Sequence, residues 1–90
     1  MNAEIYTKSI CPYCTRAKRI FEKENISYTE INAVENLEEL KTKVIAAIGS
    51  PPQKVPQIWI DEKYIGGYDQ LVSWVEKMKT PLIENSLSTI

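Results

Sequence analysis

The only two cysteines of the chain, Cys11 and Cys14, stand two residues apart in "KSICPYCTRAK", where a β-prone run gives way to helical spacing. The run before them, Ala3 to Thr7, reads as a first strand. From Thr15 onward Ala17, Ile20, Phe21 and Glu24 keep the helical period, while Arg16, Lys18, Arg19 and Lys23 fall largely on the other faces. The pattern predicts an amphipathic helix whose first turn begins around the cysteine pair. Asn25 suits its exit, and Ile26 to Asn32, rich in β-branched and aromatic residues, reads as a second strand.

Asn36 with Glu39 three residues later forms an Asn-capped variant of the capping box, opening a second helix with Leu37, Leu40, Val44, Ile45 and Ile48 on one face. Gly49 closes it. "SPPQ" is a loop, and Val55 to Asp61 is a third strand whose second residue, Pro56, is tolerated only at a strand's start or on an edge. "DEK" turns the chain into a short fourth strand, "KYI". A Gly-Gly turn then leads to Asp69 as N-cap of a third helix, with Leu71, Val72, Val75 and Met78 inward. The order β-α-β-α-β-β-α predicts an α/β fold: a small four-stranded mixed sheet flanked by three helices. Strands one and two should be parallel, three and four antiparallel. Ninety residues with 43% hydrophobic positions suit one domain, taken as residues 1–80 with a tail at 81–90.

Eleven basic against twelve acidic residues, with no long block of one sign, give no nucleic-acid footprint. No apolar run approaches the roughly 20 residues of a spanning helix, and "MNAEIYTKSI" has neither a basic n-region nor an apolar h-region. The expectation is therefore a cytoplasmic protein that works without a membrane. In that compartment thiols are kept reduced, and a bridge closing so short a loop removes little chain entropy, so a structural clamp is disfavoured.

A cysteine at the start of a helix sits among unpaired N–H groups at the positive end of the dipole, which favours thiolate and lowers its pKa from about 8.5. Lys8 adds a cation near Cys11, and Cys14, about one turn further along, faces inward, poised to attack a mixed disulfide on Cys11. The chain has no histidine, which excludes Cys-His nucleophilic schemes and histidine metal sites. A thiolate zinc site would need two more soft ligands, hence a second chain or an external thiol, and no metal is expected.

The "CPYC" segment at Cys11 to Cys14, with "EIYTKSI" before it and "TRAKRIF" after, resembles the active-site segment of the glutaredoxin family. "KVPQIWID" is similar to that family's Thr-Val-Pro segment, and "IGGYDQL" to its Gly-Gly-Cys-Asp-Asp-Leu segment. The three motifs occur in family order over Glu4 to Lys79. The resemblance implies a thioredoxin-like fold and glutathione-dependent reduction of protein disulfides and glutathione mixed disulfides, ribonucleotide reductase among the substrates, by a monomer. It implies a poise of roughly −200 to −230 mV, near the cytosolic glutathione buffer. By position Cys11 is the nucleophile and Cys14 the resolving thiol. Lys8 and Tyr13 flank the glutathione site, Val55 pairs with the glutathione backbone, and Pro56 is the family's cis-proline. Gly67 allows close approach of backbone to ligand, and Tyr68, Asp69 and Gln70 meet the γ-glutamyl end. Lys43 falls near where the family often places another carboxylate ligand. The chain departs from the pattern at Lys54 (usually Thr), which adds a cation to the site, at Tyr68 (usually Cys) and at Gln70 (usually Asp). Three rivals remain: a thioredoxin-like reductase without glutathione, a dimer with two glutathiones holding an iron–sulfur cluster through Cys11, and an inert thioredoxin-fold interaction module.

Overall fold

Strand β1 (Asn2–Thr7) lies at the interior of a four-stranded sheet in a computed structural model that describes residues 1–79. The sheet order is β2-β1-β3-β4, with β2 (Ser27–Asn32) parallel to β1, β3 (Gln57–Ile60) antiparallel to β1, and β4 (Lys63–Gly66) antiparallel to β3. The element order is the one the sequence predicts. The tail expected at 81–90 lies outside the described residues.

Alternation along β1 and β3 divides the core between the two faces of the sheet. Ala3, Ile5, Ile58 and Ile60 point to one face, where they pack with Ala17 and Phe21 of helix α1 (Pro12–Lys23) and Leu71 and Val75 of α3 (Tyr68–Lys79). Tyr6 and Trp59 point to the other, against Leu40 and Val44 of α2 (Leu37–Ile48). Helices thus cover both faces, as a sheet with two apolar sides requires. α1 ends where Asn25 takes a left-handed conformation (φ 58°), and the Ile26 N–H returns to the Phe21 carbonyl at 2.8 Å, closing the helix and aiming the chain into β2.

The α2 face carries polar contacts that the sequence pattern did not foresee. The Tyr6 hydroxyl donates to Glu39 at 2.8 Å, and Lys43 Nζ pairs with Glu4 at 2.7 Å while lying 4.3 Å from the centroid of the Trp59 ring. Burial and the bond to Glu39 hold the Tyr6 hydroxyl above its ordinary pKa. Burial alone would lower that of Lys43, but its bonds to Glu4 and Tyr6 outweigh it and the ammonium titrates higher. On the opposite side of β2, Glu30 accepts from the Thr7 hydroxyl at 2.7 Å and pairs with Lys18 at 3.1 Å. These two contacts, Thr7 first, hold its carboxyl below the usual range.

Several boundaries and caps differ from expectation. Asn36 stands at the N-cap position of α2, but its side chain makes no capping bond there and donates instead to the Asn32 carbonyl at 2.9 Å. The Asn32 side chain accepts from the N–H groups of Val34 and Glu35, an Asx turn that fixes the approach to the helix, and Glu39 is engaged by Tyr6. Within α2 only Leu40 and Val44 are buried; Leu37, Ile45 and Ile48 are exposed. Met78 is likewise exposed rather than inward. α3 starts one residue before Asp69, so Asp69 lies in its first turn and Gly67 is its N-cap, the Gly67 carbonyl accepting from the Leu71 N–H at 3.0 Å. β3 begins at Gln57, leaving Val55 and Pro56 ahead of the strand.

Two truncations test this division between core and surface. Phe21 is fully buried, so Phe21→Ala should cost about 3–5 kcal/mol in urea unfolding, whereas Ile48→Ala, on the exposed side of α2, should stay within about 0.5 kcal/mol of wild type. Equal costs at the two positions would contradict the packing described.

Candidate active site

The site is assembled at one end of the sheet from the β1–α1 junction, the segment before β3 and the start of α3. Cys11 is the N-cap of α1: its backbone is extended (φ −154°, ψ 92°), its carbonyl accepts from the Thr15 N–H, and its sulfur accepts from the Cys14 N–H at 3.1 Å. Pro12 follows at the first helical position, where its fixed φ fits and its missing N–H goes unneeded. No acidic residue stands in this first turn to oppose an anion at the sulfur. Cys11 and Cys14 are joined as a disulfide, the oxidised state of the pair. Cys11 is half-buried and Cys14, at 2% exposure, is buried. That asymmetry is the one the helix geometry predicts.

The Val55–Pro56 peptide bond is cis, and the Val55 carbonyl oxygen lies 3.9 Å from Cys11 Sγ. Gln57, buried at the start of β3, anchors this segment by donating to the Lys54 carbonyl at 2.9 Å and accepting from the Tyr64 hydroxyl. Sequence reasoning passed over Gln57, although an amide inside the apolar run "VPQIWI" was a signal. Beside the disulfide a cleft of about 170 Å³ is lined by Tyr13, Lys54, Val55, Pro56, Gly67, Tyr68 and Asp69. Tyr13 and Tyr68 meet with ring centroids 5.3 Å apart, and the Arg16 guanidinium lies 5.1 Å from the Tyr13 centroid, a second residue not anticipated. The Tyr68 and Asp69 N–H groups belong to the open first turn of α3 and have no acceptor there, so this wall of the cleft offers donors to an anion.

Seven of the expected residues therefore come together next to the cysteines, and three do not join them. Lys8 is exposed on the far side of Val55, in an adjoining groove. Lys43 lies beneath the sheet, paired with Glu4. Gln70 turns away from the cleft: its side-chain oxygen accepts from the Gly67 N–H at 2.9 Å. Among the two glycines, Gly66 has the conformation that needs glycine (φ 117°), and a Cβ there would meet the Gln70 side chain at 3.0 Å. A Cβ on Gly67 would find ordinary contact, 3.5 Å from the Pro56 carbonyl, and would fill cleft space instead.

The family model described as Glutaredoxin matches residues 3–65. The chain belongs to the glutaredoxin family. Glutaredoxin 1 of Rickettsia prowazekii is 43% identical over 67 residues, covering 74% of this chain and 70% of that protein. Glutaredoxin 3 of Escherichia coli is 42% identical over 74 residues, 78% of this chain and 81% of that one. Among solved structures, reduced Escherichia coli glutaredoxin superposes with a TM-score of 0.67 at 33% identity, covering 86% of this chain and 95% of its own. The fold is thioredoxin-like and the chemistry is thiol–disulfide exchange through the Cys11–Cys14 pair. Among the described residues no group of three or more potential metal ligands gathers, and no helix is long and apolar enough to cross a membrane.

In this glutaredoxin Gln70 and Gly67 form half of a capping box, the third residue of α3 reaching back to the N-cap N–H. Gln70→Ala should strand that buried donor, cost about 1–2 kcal/mol and speed amide exchange at Gly67, while Gln70→Glu keeps both near wild type. Unchanged exchange at Gly67 in the alanine variant would show that the cap does not form.

Proposed function

We propose that this glutaredoxin uses glutathione to reduce protein disulfides and glutathione mixed disulfides. The observation that carries the proposal is the cleft: it opens beside Cys11 between a cis Val55–Pro56 segment and the donor-rich first turn of α3, with Lys54 on its wall. A short acidic peptide attached by its sulfur to Cys11 finds a backbone edge at Val55, a cation at Lys54, and N–H groups at Tyr68 and Asp69 for a carboxylate. Tyr13 and Pro56 contribute apolar walls, Gly67 leaves room for the ligand, and Lys8 supplies a further cation from the neighbouring groove. Gln70 acts through the shape of the α3 turn.

In the proposed cycle the Cys11 thiolate attacks the glutathione sulfur of a protein–glutathione mixed disulfide. The sulfur–sulfur bond breaks, the protein thiol leaves, and glutathione remains on Cys11. A second glutathione thiolate then attacks the glutathione sulfur of this mixed disulfide, releasing glutathione disulfide and regenerating the Cys11 thiolate. Protein disulfides take the two-thiol route: the Cys11 thiolate opens the substrate disulfide to a Cys11–substrate mixed disulfide and frees one substrate thiol, and Cys14 then attacks the Cys11 sulfur, expelling the second substrate thiol and leaving the Cys11–Cys14 disulfide, with two electrons passed to the substrate. A protein disulfide such as that of ribonucleotide reductase fits this route. We place the protein in the cytoplasm, where the glutathione pool supports the cycle, working as a monomer that needs no metal.

The test is glutathione-dependent turnover of a small glutathione mixed disulfide, coupled to glutathione reductase and NADPH. Wild type should turn over, Cys11→Ser should fall to the uncatalysed rate, and Cys14→Ser should keep a substantial share, because the small substrate needs one thiol. Absence of turnover in wild type would overturn the proposal in favour of a reductase fed by another donor.

A further inference from the structure

Residues 50–56, between α2 and β3, carry three prolines, which have no N–H to give, and form neither helix nor strand. Among the described residues one hydrogen bond ties this segment to the sheet: Gln57 Nε2 donates to the Lys54 carbonyl at 2.9 Å. Cys11 Sγ, in the disulfide, has no proton to give to the Val55 carbonyl 3.9 Å away. The Gln57 amide has one orientation open to it. A carbonyl only accepts, so the amide turns its nitrogen to Lys54 and its oxygen to Tyr64, whose hydroxyl donates to it. Tyr64 is fixed in turn by packing: its ring centroid lies 5.0 Å from that of Trp59, which is buried and meets Tyr6 at 5.5 Å. Burial holds the Tyr64 hydroxyl above its ordinary pKa, so it stays a donor. A peptide unit is planar, and in the trans Lys54–Val55 unit the carbonyl and the N–H point opposite ways. A Lys54 carbonyl held by Gln57 therefore turns the Val55 N–H away from Gln57, and that N–H has no partner among the described residues.

We propose that Gln57, oriented by Tyr64, is a positioning residue: it sets the Lys54–Val55 peptide unit so that Val55 presents its N–H to the backbone of the thiol peptide bonded to Cys11. The inference rests on glutathione being that peptide, and it deepens the proposed function by naming what holds the backbone edge in place. Neither Gln57 nor Tyr64 lines the cleft, so both act through the segment rather than on the ligand. Neither makes a hydrogen bond to a cysteine. Their loss should therefore weaken recognition of a peptide thiol and leave the Cys11 sulfur as reactive as before. Lys54 is exposed, so water satisfies its carbonyl once the amide is gone, and what is lost is direction.

The experiment is oxidation of pre-reduced protein, with no other thiol present, by glutathione disulfide and by bis(2-hydroxyethyl) disulfide, which has no peptide backbone. With either reagent the Cys11 thiolate opens the disulfide and frees one thiol, and Cys14 then attacks the Cys11 sulfur and frees the second. The protein dithiol gives up two electrons and two protons, and the Cys11–Cys14 bond forms as the reagent's sulfur–sulfur bond breaks. Wild type should react faster with glutathione disulfide. In Gln57→Met that preference should fall about tenfold, as expected for one lost hydrogen bond to the ligand, while alkylation of Cys11 by iodoacetamide stays within about twofold of wild type. Tyr64→Phe should lose about threefold, because Nε2 still reaches the Lys54 carbonyl. Gln57→Met strands the Tyr64 hydroxyl and should melt at a lower temperature; the double variant with Tyr64→Phe removes that hydroxyl and should regain stability without regaining the preference. A double variant that regains both would make Gln57 a packing residue and overturn the proposal, as would a Gln57→Met variant with the wild-type preference. A wild type with no preference would defeat the glutathione reading, and this inference with it.

Discussion

The sulfur of Cys11 takes the position a hydroxyl or carboxylate usually holds at a helix N-terminus, accepting the Cys14 N–H at 3.1 Å. Much of the site follows from that one contact. It ties the two cysteines through the backbone as well as through the disulfide, with Cys11 half-buried at the helix start and Cys14 buried under the helix. It also spends a free N–H group on sulfur, so that a thiolate formed there gains a hydrogen bond and the helix dipole together. Pro12 keeps the first turn rigid without competing for the contact.

The sheet supplies the rest by register. β1 delivers Cys11 just past its end, and β3, paired antiparallel to it, begins just after the Val55–Pro56 bond, so the cis segment and the cysteine loop meet at the same edge. β4 and the Gly66 turn return the chain to that edge and launch α3 from it. Strand ends, a helix start and a second helix start converge, and the anchors behind them are ordinary packing and hydrogen bonds: Gln57 on the Lys54 carbonyl, Gln70 on the Gly67 N–H. In the proposed mechanism these anchors hold the donors still while sulfur changes partners.

The element order was legible because strand and helix periods alternate cleanly from Ala3 to Met78 and glycine or asparagine marks most exits. The layering of α2 was not. Leu37, Ile45 and Ile48 fall near the helical phase of Leu40 and Val44, and periodicity does not say how wide a face the sheet covers. Its N-cap residue, Asn36, was legible, but the capping-box bonds were not, because the Asn36 side chain turns to the Asn32 carbonyl and Glu39 is drawn to Tyr6, 33 residues away. Lys43, expected near a ligand carboxylate, is held elsewhere for the same reason: its partners Glu4 and Trp59 come from distant strands, and no local pattern pairs them. The cysteine pair, the Val55–Pro56 segment and the Gly-Gly turn were legible as motifs, and the structure brings most of their residues to one cleft. What the motifs concealed was orientation, as Gln70 shows by turning inward to cap its own helix.

The account depends most on an activated sulfur at the N-terminus of α1. The direct measurement is a pH titration of the Cys11 thiolate in the reduced Cys14→Ser variant, followed by ultraviolet thiolate absorbance and by the rate of alkylation. The helix end and the Cys14-position N–H predict a single midpoint clearly below the free-thiol value of about 8.5. A midpoint at or above that value would contradict the claim that this junction activates Cys11.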